Sequence, residues 1–444
     1  MELKQFYDSN LAHASYAILS GTEIALIDPS RDPGQYYEFA KANGAQIIAV
    51  IETHPHADFV SSHLEIHLTT GADIYVSKLV NALYKHIPFD EGDELKIGNV
   101  FLIPYNTPGH SPDSISILIR DENGKDYALA TGDTLFVGDV GRPDLRETAG
   151  AINKSKIELA RMMYQTINNK LIKFNDDVLV YPAHGAGSLC GKATSTDTFS
   201  TIGRERKENY ALQKMSENDF IDVLLKDQSF VPKYFGYDVE LNRKGAPGFY
   251  ESIRNVKRIK SYSEIKKDHV VIDTRQKSEF VEGHYKGAIN LTEDTKFETW
   301  LGTIVSPEEK YYLVSGTEDK LNELIGRAAK IGYELIIEGA LIHHAHHELV
   351  KSTLLDTKYF KSNTDKFTIL DIRNDTEKET NEIFRESLHI PLSELRDRYK
   401  EVPSDKPVIV HCAAGFRSAI GSSLLEGLLD TVVYDLSDDV KQFS

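Results

Sequence analysis

Residues Thr53–Phe59 read THPHADF. Two histidines one residue apart, His54 and His56, are followed by Asp58, so metal-competent side chains cluster within a few positions. Pro55 between the histidines stops a helix and favours an extended or turned backbone. Just upstream, AQIIAVIE (Ala45–Glu52) is a short apolar run with the look of a buried strand. The cluster therefore hangs from a strand's carboxyl end, where loops on a rigid scaffold carry chemistry. Histidine and aspartate at this spacing point to a metal site rather than to two surface histidines in a polar loop.

Length and charge set the frame for that site. A chain of 444 residues implies two to four domains, and 41% hydrophobic with 27% charged residues supports real cores. A formal charge of −17 argues against nucleic acid or an anionic membrane as partner. Only two cysteines, Cys190 and Cys412, are present, which points to a reducing compartment rather than a disulfide framework. The N-terminal stretch has neither the basic nor the apolar region of a signal peptide, and no apolar run approaches the ~20 residues that span a bilayer. A soluble, cytoplasmic protein is expected.

Working outward from the loop, YAIL and EIALI flank Ser20-Gly21 as a hairpin, and a helix is expected from about Gln35 to Ala42, stopped by Asn43-Gly44. Ser61 or Ser62 caps a short helix that Gly71 ends. VFLIPY, SISILI, YALAT and DVLVYPA read as strands, with a helical pattern from about Ala151 to Lys173. Three further ligand-type residues fall just past strand ends: His110 in TPGHSPD, Asp133 in TGDTLF and His184 in YPAHGAG. Each alone is weak, but four loops that each offer a ligand make a strong case for one metal centre.

With THPHADF, PGHSP, TGDTLF and PAHG in view, residues 1–235 resemble the metallo-β-lactamase fold, an α/β class αβ/βα sandwich with metals held on loops at one edge. In binuclear members such as glyoxalase II, a histidine follows the aspartate of the first motif and serves a second metal; here that position is Phe59. The remaining set, with TGDTLFVGDVGRPDL (Thr131–Leu145), is similar to the mononuclear iron persulfide dioxygenases. The resemblance implies one Fe(II) per chain on His54, His110 and Asp133, with His56, Asp58 and His184 as supporting residues or a vacant second site. It also places Arg142 near the substrate thiol. Cys190, close in sequence to His184, faces the metal pocket or a substrate path, or is a buried structural thiol. The chemistry agrees: two histidines and one carboxylate on one face of an octahedral ion leave three open positions, as in non-haem iron oxygenases.

The C-terminal half repeats. After an aperiodic stretch around Phe230–Tyr250, expected to be a linker over 236–258, VVIDTRQKSEFVEGHYKGAINL is matched by FTILDIRNDTEKETNEIFRESLHIPL. YYLVSGTEDK is likewise matched by VIVHCAAGFRS. Both units, 259–350 and 351–444, resemble rhodanese domains with parallel sheets. Cys412 sits at a strand end before a small-residue loop, Arg417 and a helix start, where backbone N–H groups favour an anion at sulfur. Cys412 is therefore the expected nucleophile, with Arg417 beside it. Ser315 aligns with Cys412 and Lys320 with Arg417, so the first unit is expected to be inactive. A cysteine phosphatase would have five residues between cysteine and arginine; only Ala413–Phe416 intervene here. His63, His67, His343, His344, His346 and His347 are expected as solvated polar surface.

Together the resemblances imply a persulfide dioxygenase–sulfurtransferase that oxidises a low-molecular-weight thiol persulfide with O₂ to sulfite, and passes a second sulfur through Cys412 to give thiosulfate. They also imply a homo-oligomer, dimer or tetramer. Two rivals stand beside this reading: a glyoxalase II-like binuclear zinc thioester hydrolase, which Phe59 opposes, and a C-terminal half that is only an interaction module, which Cys412 and Arg417 oppose.

Overall fold

The computed structural model describes residues 1–443 except 148, 149, 153, 193, 294, 295 and 345–348. It divides into two compact units, Met1–Arg254 with Ala329–Gly332, and Asn255–Ala328 with Tyr333–Ser444. No helix among the described residues is long and apolar enough to cross a membrane.

The first unit holds two six-stranded sheets. One runs in chain order through Glu2–Asp8, His13–Ser20, Glu23–Ile27, Gln46–Ile51, Asp73–Val76 and Ile87–Pro88. The other is ordered Ser200–Thr201, Leu179–Pro182, Asp126–Gly132, Ile115–Arg120, Val100–Asn106 and Leu95–Ile97. Successive strand side chains point to opposite faces, and both faces here are covered. Ala25 and Ile27 join Ile115, Ile117 and Ile119 in a core between the sheets. Their neighbours Ile24 and Leu26 pack outward with Tyr36 and Ala40 of the helix Gly34–Ala42. Leu118 and Leu129 pack outward with Ala160, Met163 and Ile167 of the helix Lys156–Asn169. This is the αβ/βα sandwich that the motifs imply. The last helix starts later than the pattern alone places it, because Ser155 and Glu158 close a capping box at its N-terminus.

The linker expected over 236–258 is not what forms. Phe235–Lys244 and Phe249–Asn255 are helices, and the first unit extends to Arg254. The helix Phe235–Lys244 buries Phe235, Asp238, Val239 and Asn242, which is ordinary helical spacing. Two of those four are polar, so the stripe carries no apolar periodicity to read.

In the second unit, two four-stranded sheets have the same parallel order. Ile289–Asn290, Val270–Asp273, Tyr311–Ser315 and Ile337–Ile342 form one; Leu388–His389, Thr368–Asp371, Val408–His411 and Val433–Asp435 form the other. The duplication extends to side chains. Arg275 turns back onto Asp273 through Nε at 3.0 Å and Nη2 at 2.6 Å, and Arg373 repeats this on Asp371 at 2.9 and 2.6 Å. The two halves of this unit meet through Arg396, whose guanidinium holds Glu309 at 2.5 and 2.9 Å.

Candidate metal centre and sulfurtransferase loop

Each expected ligand lies at the end of a strand of the first unit. His54 follows Gln46–Ile51, His110 follows Val100–Asn106, Asp133 follows Asp126–Gly132 and His184 follows Leu179–Pro182. All four are 1% exposed. Ligand atoms of His54, His110 and Asp133 lie within 4.8 Å of one another. His54 Nε2 is 3.9 Å and His110 Nε2 3.5 Å from Asp133 Oδ2, an oxygen with no hydrogen-bond partner among the described residues.

The far side of each ring explains why these nitrogens are available. His110 Nδ1 donates to the Arg142 carbonyl at 2.8 Å. Thr53 Oγ1 donates to Asp28 Oδ2 at 2.8 Å, so it accepts from His54 Nδ1 at 3.0 Å. Both rings are thereby fixed in the tautomer that presents an Nε2 lone pair, the usual arrangement around metal-binding histidines. Burial pushes both imidazoles below their ordinary range, which keeps them neutral; the Arg146 charge works in the same direction. Burial alone would raise the Asp133 carboxyl, but His184, which donates to its Oδ1 from Nδ1, holds it well below the usual carboxylate range. Two neutral nitrogens and one unpartnered carboxylate oxygen fit a divalent cation.

The companion residues divide into two groups. His56 turns away from the trio: its Nε2 lies 3.1 Å from Asp28 Oδ1 and 3.7 Å from Glu52 Oε2. Asp58 and His184 stay close, with His184 Nδ1 on Asp133 Oδ1 and His184 Nε2 at Asp58 Oδ2, both at 2.8 Å. Cys190 is buried beside them, and its thiol is pushed well up by burial, then by the Asp58 and Asp133 charges. The Phe59 ring packs at a tilt against both His13 and His56, at ring separations of 3.8 and 4.3 Å.

Arg142 differs from the expectation of a residue at the substrate thiol. Its Nε and Nη2 bind Asp144 at 2.7 and 2.5 Å, and Nη1 and Nη2 bind Ser229 at 2.9 and 2.7 Å. The guanidinium is 1% exposed and spent on protein partners. Its backbone matters more directly, since the Arg142 N–H donates to Cys190 O at 2.9 Å while its carbonyl orients His110. The GRPDL loop can come this close only because residue 141 is glycine. A Cβ there would stand 2.0 Å from Asp133 O and 2.9 Å from His110 Nδ1. Gly141→Ala is therefore expected to fold with its sheets intact by circular dichroism yet fail to retain metal on dialysis.

Three supports of the site carry no signal in the motifs. Arg146, fully buried, ties Asp113 Oδ2 at 2.9 Å to Ser111 Oγ at 3.0 Å and reaches Pro55 O, joining two ligand loops. Asn242 donates to His56 O at 2.9 Å and Phe59 O at 2.7 Å and accepts from Ser61 N at 2.8 Å. His13 packs on Phe59 from the start of a strand far upstream. Asn242→Ala would strand three buried backbone groups, a cost of about 3 kcal/mol. The first unit's unfolding midpoint should fall accordingly in urea, followed by circular dichroism because the sole tryptophan, Trp300, belongs to the other unit.

The histidines expected on the surface are not alike. His63 is fully buried against the Tyr84 ring and 3.6 Å from Glu52, and burial pushes it down to about 3. Helix packing places it there, one turn from the metal loop. His67 and His343 are partly buried, bonded to Ala72 O and Tyr262 Oη. His344 is also partly buried; His346 and His347 lie outside the described residues.

In the second unit, Cys412 follows Val408–His411 and is 1% exposed. The Gly415 N–H points at its sulfur at 3.1 Å. Gly415 has φ +94° and opens the helix Phe416–Glu426, so the loop turns this amide onto Sγ. Arg417 closes the loop as a bidentate pair with Glu377, at 2.5 and 2.6 Å. At the matching place, Ser315 ends Tyr311–Ser315 and Lys320 is exposed, pairing with Glu293 and Glu323.

Comparison with known proteins agrees with both halves. The metallo-beta-lactamase superfamily profile matches residues 9–184, and the rhodanese-like domain profile matches 257–339 and 356–444. The crystal structure of a metallo-beta-lactamase from Staphylococcus aureus is 31% identical with a TM-score of 0.70, covering 77% of this chain and 99% of that one. The mitochondrial persulfide dioxygenase ETHE1 of Bos taurus is 26% identical over 248 residues, which is 54% of this chain and 87% of the relative. A probable metallo-hydrolase of Bacillus subtilis, YqgX, is 27% identical over 191 residues, 38% of this chain and 84% of its own. With the ligand loops, the sandwich and the duplicated parallel sheets, these matches show that the chain belongs to the metallo-β-lactamase superfamily, as an enzyme-fold member related to persulfide dioxygenases and fused to rhodanese-like sequence.

Proposed function

We propose that the chain is an Fe(II) persulfide dioxygenase and sulfurtransferase, with one iron per chain on His54, His110 and Asp133. The observation that carries this is the trio itself: two tautomer-locked Nε2 atoms and one unpartnered carboxylate oxygen, with Phe59 where a second-site histidine would stand. Iron bound by such a set supplies open positions at which a sulfur donor and dioxygen can meet.

The protein's own groups do the rest. Thr53 and the Arg142 carbonyl keep both imidazoles aimed, His184 steadies the other oxygen of Asp133, and burial keeps bulk water from the ligands. The Cys190 thiol is buried beside Asp58 and Asp133. In the overall reaction one persulfide RSSH, one dioxygen and one water give RSH, sulfite and two protons. At the second site, the Cys412 thiolate attacks the outer sulfur of another RSSH and RS⁻ leaves, taking a proton. Sulfite then attacks the outer sulfur of the Cys412 persulfide, forming thiosulfate and restoring the thiolate. Gly415 N–H and the Arg417–Glu377 pair hold the loop that stabilises this anion. Ser315 has no sulfur to load, so the first rhodanese-like half serves a packing role through contacts such as Glu309 with Arg396. The reducing setting that keeps both thiols free, a cytoplasmic location and a homo-oligomeric state belong to the same reading.

Protein purified without oxygen tests it: one iron per chain and oxygen uptake driven by a thiol persulfide are expected. Two zinc ions in protein that hydrolyses thioesters instead would replace this reading with the glyoxalase II-like one.

A further inference from the structure

The duplication in the second unit is broken at two places, and the breaks meet. Arg275 is followed two residues on by Lys277, which opens the helix Lys277–Glu282; Arg373 is followed at the same distance by Asp375, which opens Asp375–Thr380. An acid is what the first turn of a helix favours, so the lysine needs another reason to be there. At the edge of each sheet, Leu313 and Val410, two residues before Ser315 and Cys412, pair with Ala340 and Asp435. Lys277 Nζ lies 2.5 Å from Asp435 Oδ2, so the inactive half reaches the active one through two residues that have no counterpart at the matching positions. We infer that Lys277 is a positioning residue for the Cys412 loop, and that the inactive rhodanese-like half, besides packing, holds the active one in its reactive shape.

The connection runs through one carboxylate. Asp435 Oδ1 accepts the Ser437 N–H at 2.7 Å. Asp435 Oδ2 is buried and accepts no hydrogen bond among the described residues, so the Lys277 ammonium is what offsets its charge. Ser437 stands at φ +53°, a left-handed conformation that a serine keeps only where its surroundings hold it. The turn it makes closes on the Cys412 loop: a Cβ at Gly415 would stand 3.2 Å from Asp438 N, Ser437 C and Ser437 Oγ. Gly415 in turn donates its N–H to Cys412 Sγ at 3.1 Å. Lys277 thus fixes Asp435, Asp435 fixes the Ser437 turn, and the turn fixes the amide that favours an anion at sulfur.

This inference rests on Cys412 as the sulfur-accepting thiol. A loosened turn lets Gly415 swing its N–H off the sulfur, and the thiolate that attacks a persulfide loses a charge-assisted donor. The two halves stay joined without Lys277, through Arg396 with Glu309 and through the Asn290 N–H on Ser423 Oγ at 2.8 Å. Substituting Lys277 therefore disturbs the loop and leaves the packing of the halves in place.

The test alkylates full-length protein with iodoacetamide, a reagent no bulkier than a small persulfide, at neutral pH, and follows Cys412 by peptide mass spectrometry. Lys277→Met should slow the reaction about tenfold, the scale of weakening one hydrogen bond to a charged group, and Lys277→Arg should keep at least about half the original rate. Asp435→Ala should slow it as well. That sign separates positioning from charge: were the pair acting on sulfur through space, removing the carboxylate would speed alkylation while removing the ammonium slowed it. Sulfur transfer from a thiol persulfide to sulfite should fall in parallel in both slowed variants, with oxygen uptake unchanged. An unaltered rate in Lys277→Met, equal loss in Lys277→Arg, or faster alkylation in Asp435→Ala overturns the inference. Absence of sulfur transfer in the unsubstituted protein would count against the sulfurtransferase reading alone, since alkylation reports on the loop without it.

Discussion

Replacing His110 with alanine is expected to remove iron and persulfide-dependent oxygen uptake together, each by at least about 100-fold. Loss of a residue that merely orients a ligand costs about 10–100-fold in affinity, and His110 is itself one of three donors. The ring has no substitute nearby. His54 is fixed through Thr53, and His56 is directed at Asp28 and Glu52. His184 has both nitrogens at carboxylates. Alanine also frees the Arg142 carbonyl that His110 occupies, so the GRPDL loop loses a tie to the site. Metal analysis after dialysis and an oxygen electrode measure the two losses. Full oxygen uptake in a variant without bound iron would show that the chemistry lies elsewhere. Sulfur transfer from a persulfide to sulfite by the same variant should be unchanged, because Cys412 and its loop belong to the other unit.

The reciprocal substitution, Cys412→Ser, should do the opposite. It keeps nearly the same volume in a side chain that is 1% exposed, so the strand Val408–His411 and the helix Phe416–Glu426 should pack as before. A serine hydroxyl at this position cannot carry sulfane sulfur, and the Gly415 N–H has no thiolate to stabilise. Thiosulfate formation should fall by about 1,000-fold or more, the scale of losing a covalent nucleophile, while oxygen uptake persists. The product should shift to sulfite, read by thiol-trapping mass spectrometry beside the electrode. Thiosulfate at the original rate, or loss of oxygen uptake, would refute the two-site relay. Ser315→Ala should change neither quantity, since Ser315 ends a strand whose loop carries no nucleophile.

Much of this was legible before any coordinates. THPHADF after an apolar run, together with PGHSP, TGDTLF and PAHG, marks strands that end in ligand loops, and all four end as expected. Strands leave such a plain record because covering both faces demands near-continuous β-branched and aliphatic residues, as in ISILIR and QIIAVI. The doubled Asp-x-Arg after VVI and TIL likewise announced two related parallel sheets, since a buried pair of that kind recurs only where the surrounding fold recurs.

What the chain hid were residues whose roles arise from approach in space. Asn242 sits on a helix with polar residues in its buried stripe, so its clamp on the metal loop left no periodicity and the segment passed for a linker. Arg146 could be seen as a second arginine near GRPDL, but not as the bridge between two ligand loops. Arg142 has the residue type for an anionic substrate, yet folding gave every arm of its guanidinium a protein partner. His63 looked like solvated surface, and its helix turned it onto Glu52 and Tyr84. By itself the sequence determined which loops carry ligands, because that depends on local spacing and on strand ends. Only the tertiary structure decided which nitrogen of each histidine is free and which carboxylate oxygen is unpartnered. It also decided that Cys190 stands with Asp58 and His184, because those depend on groups that are distant along the chain and meet only when the sandwich closes.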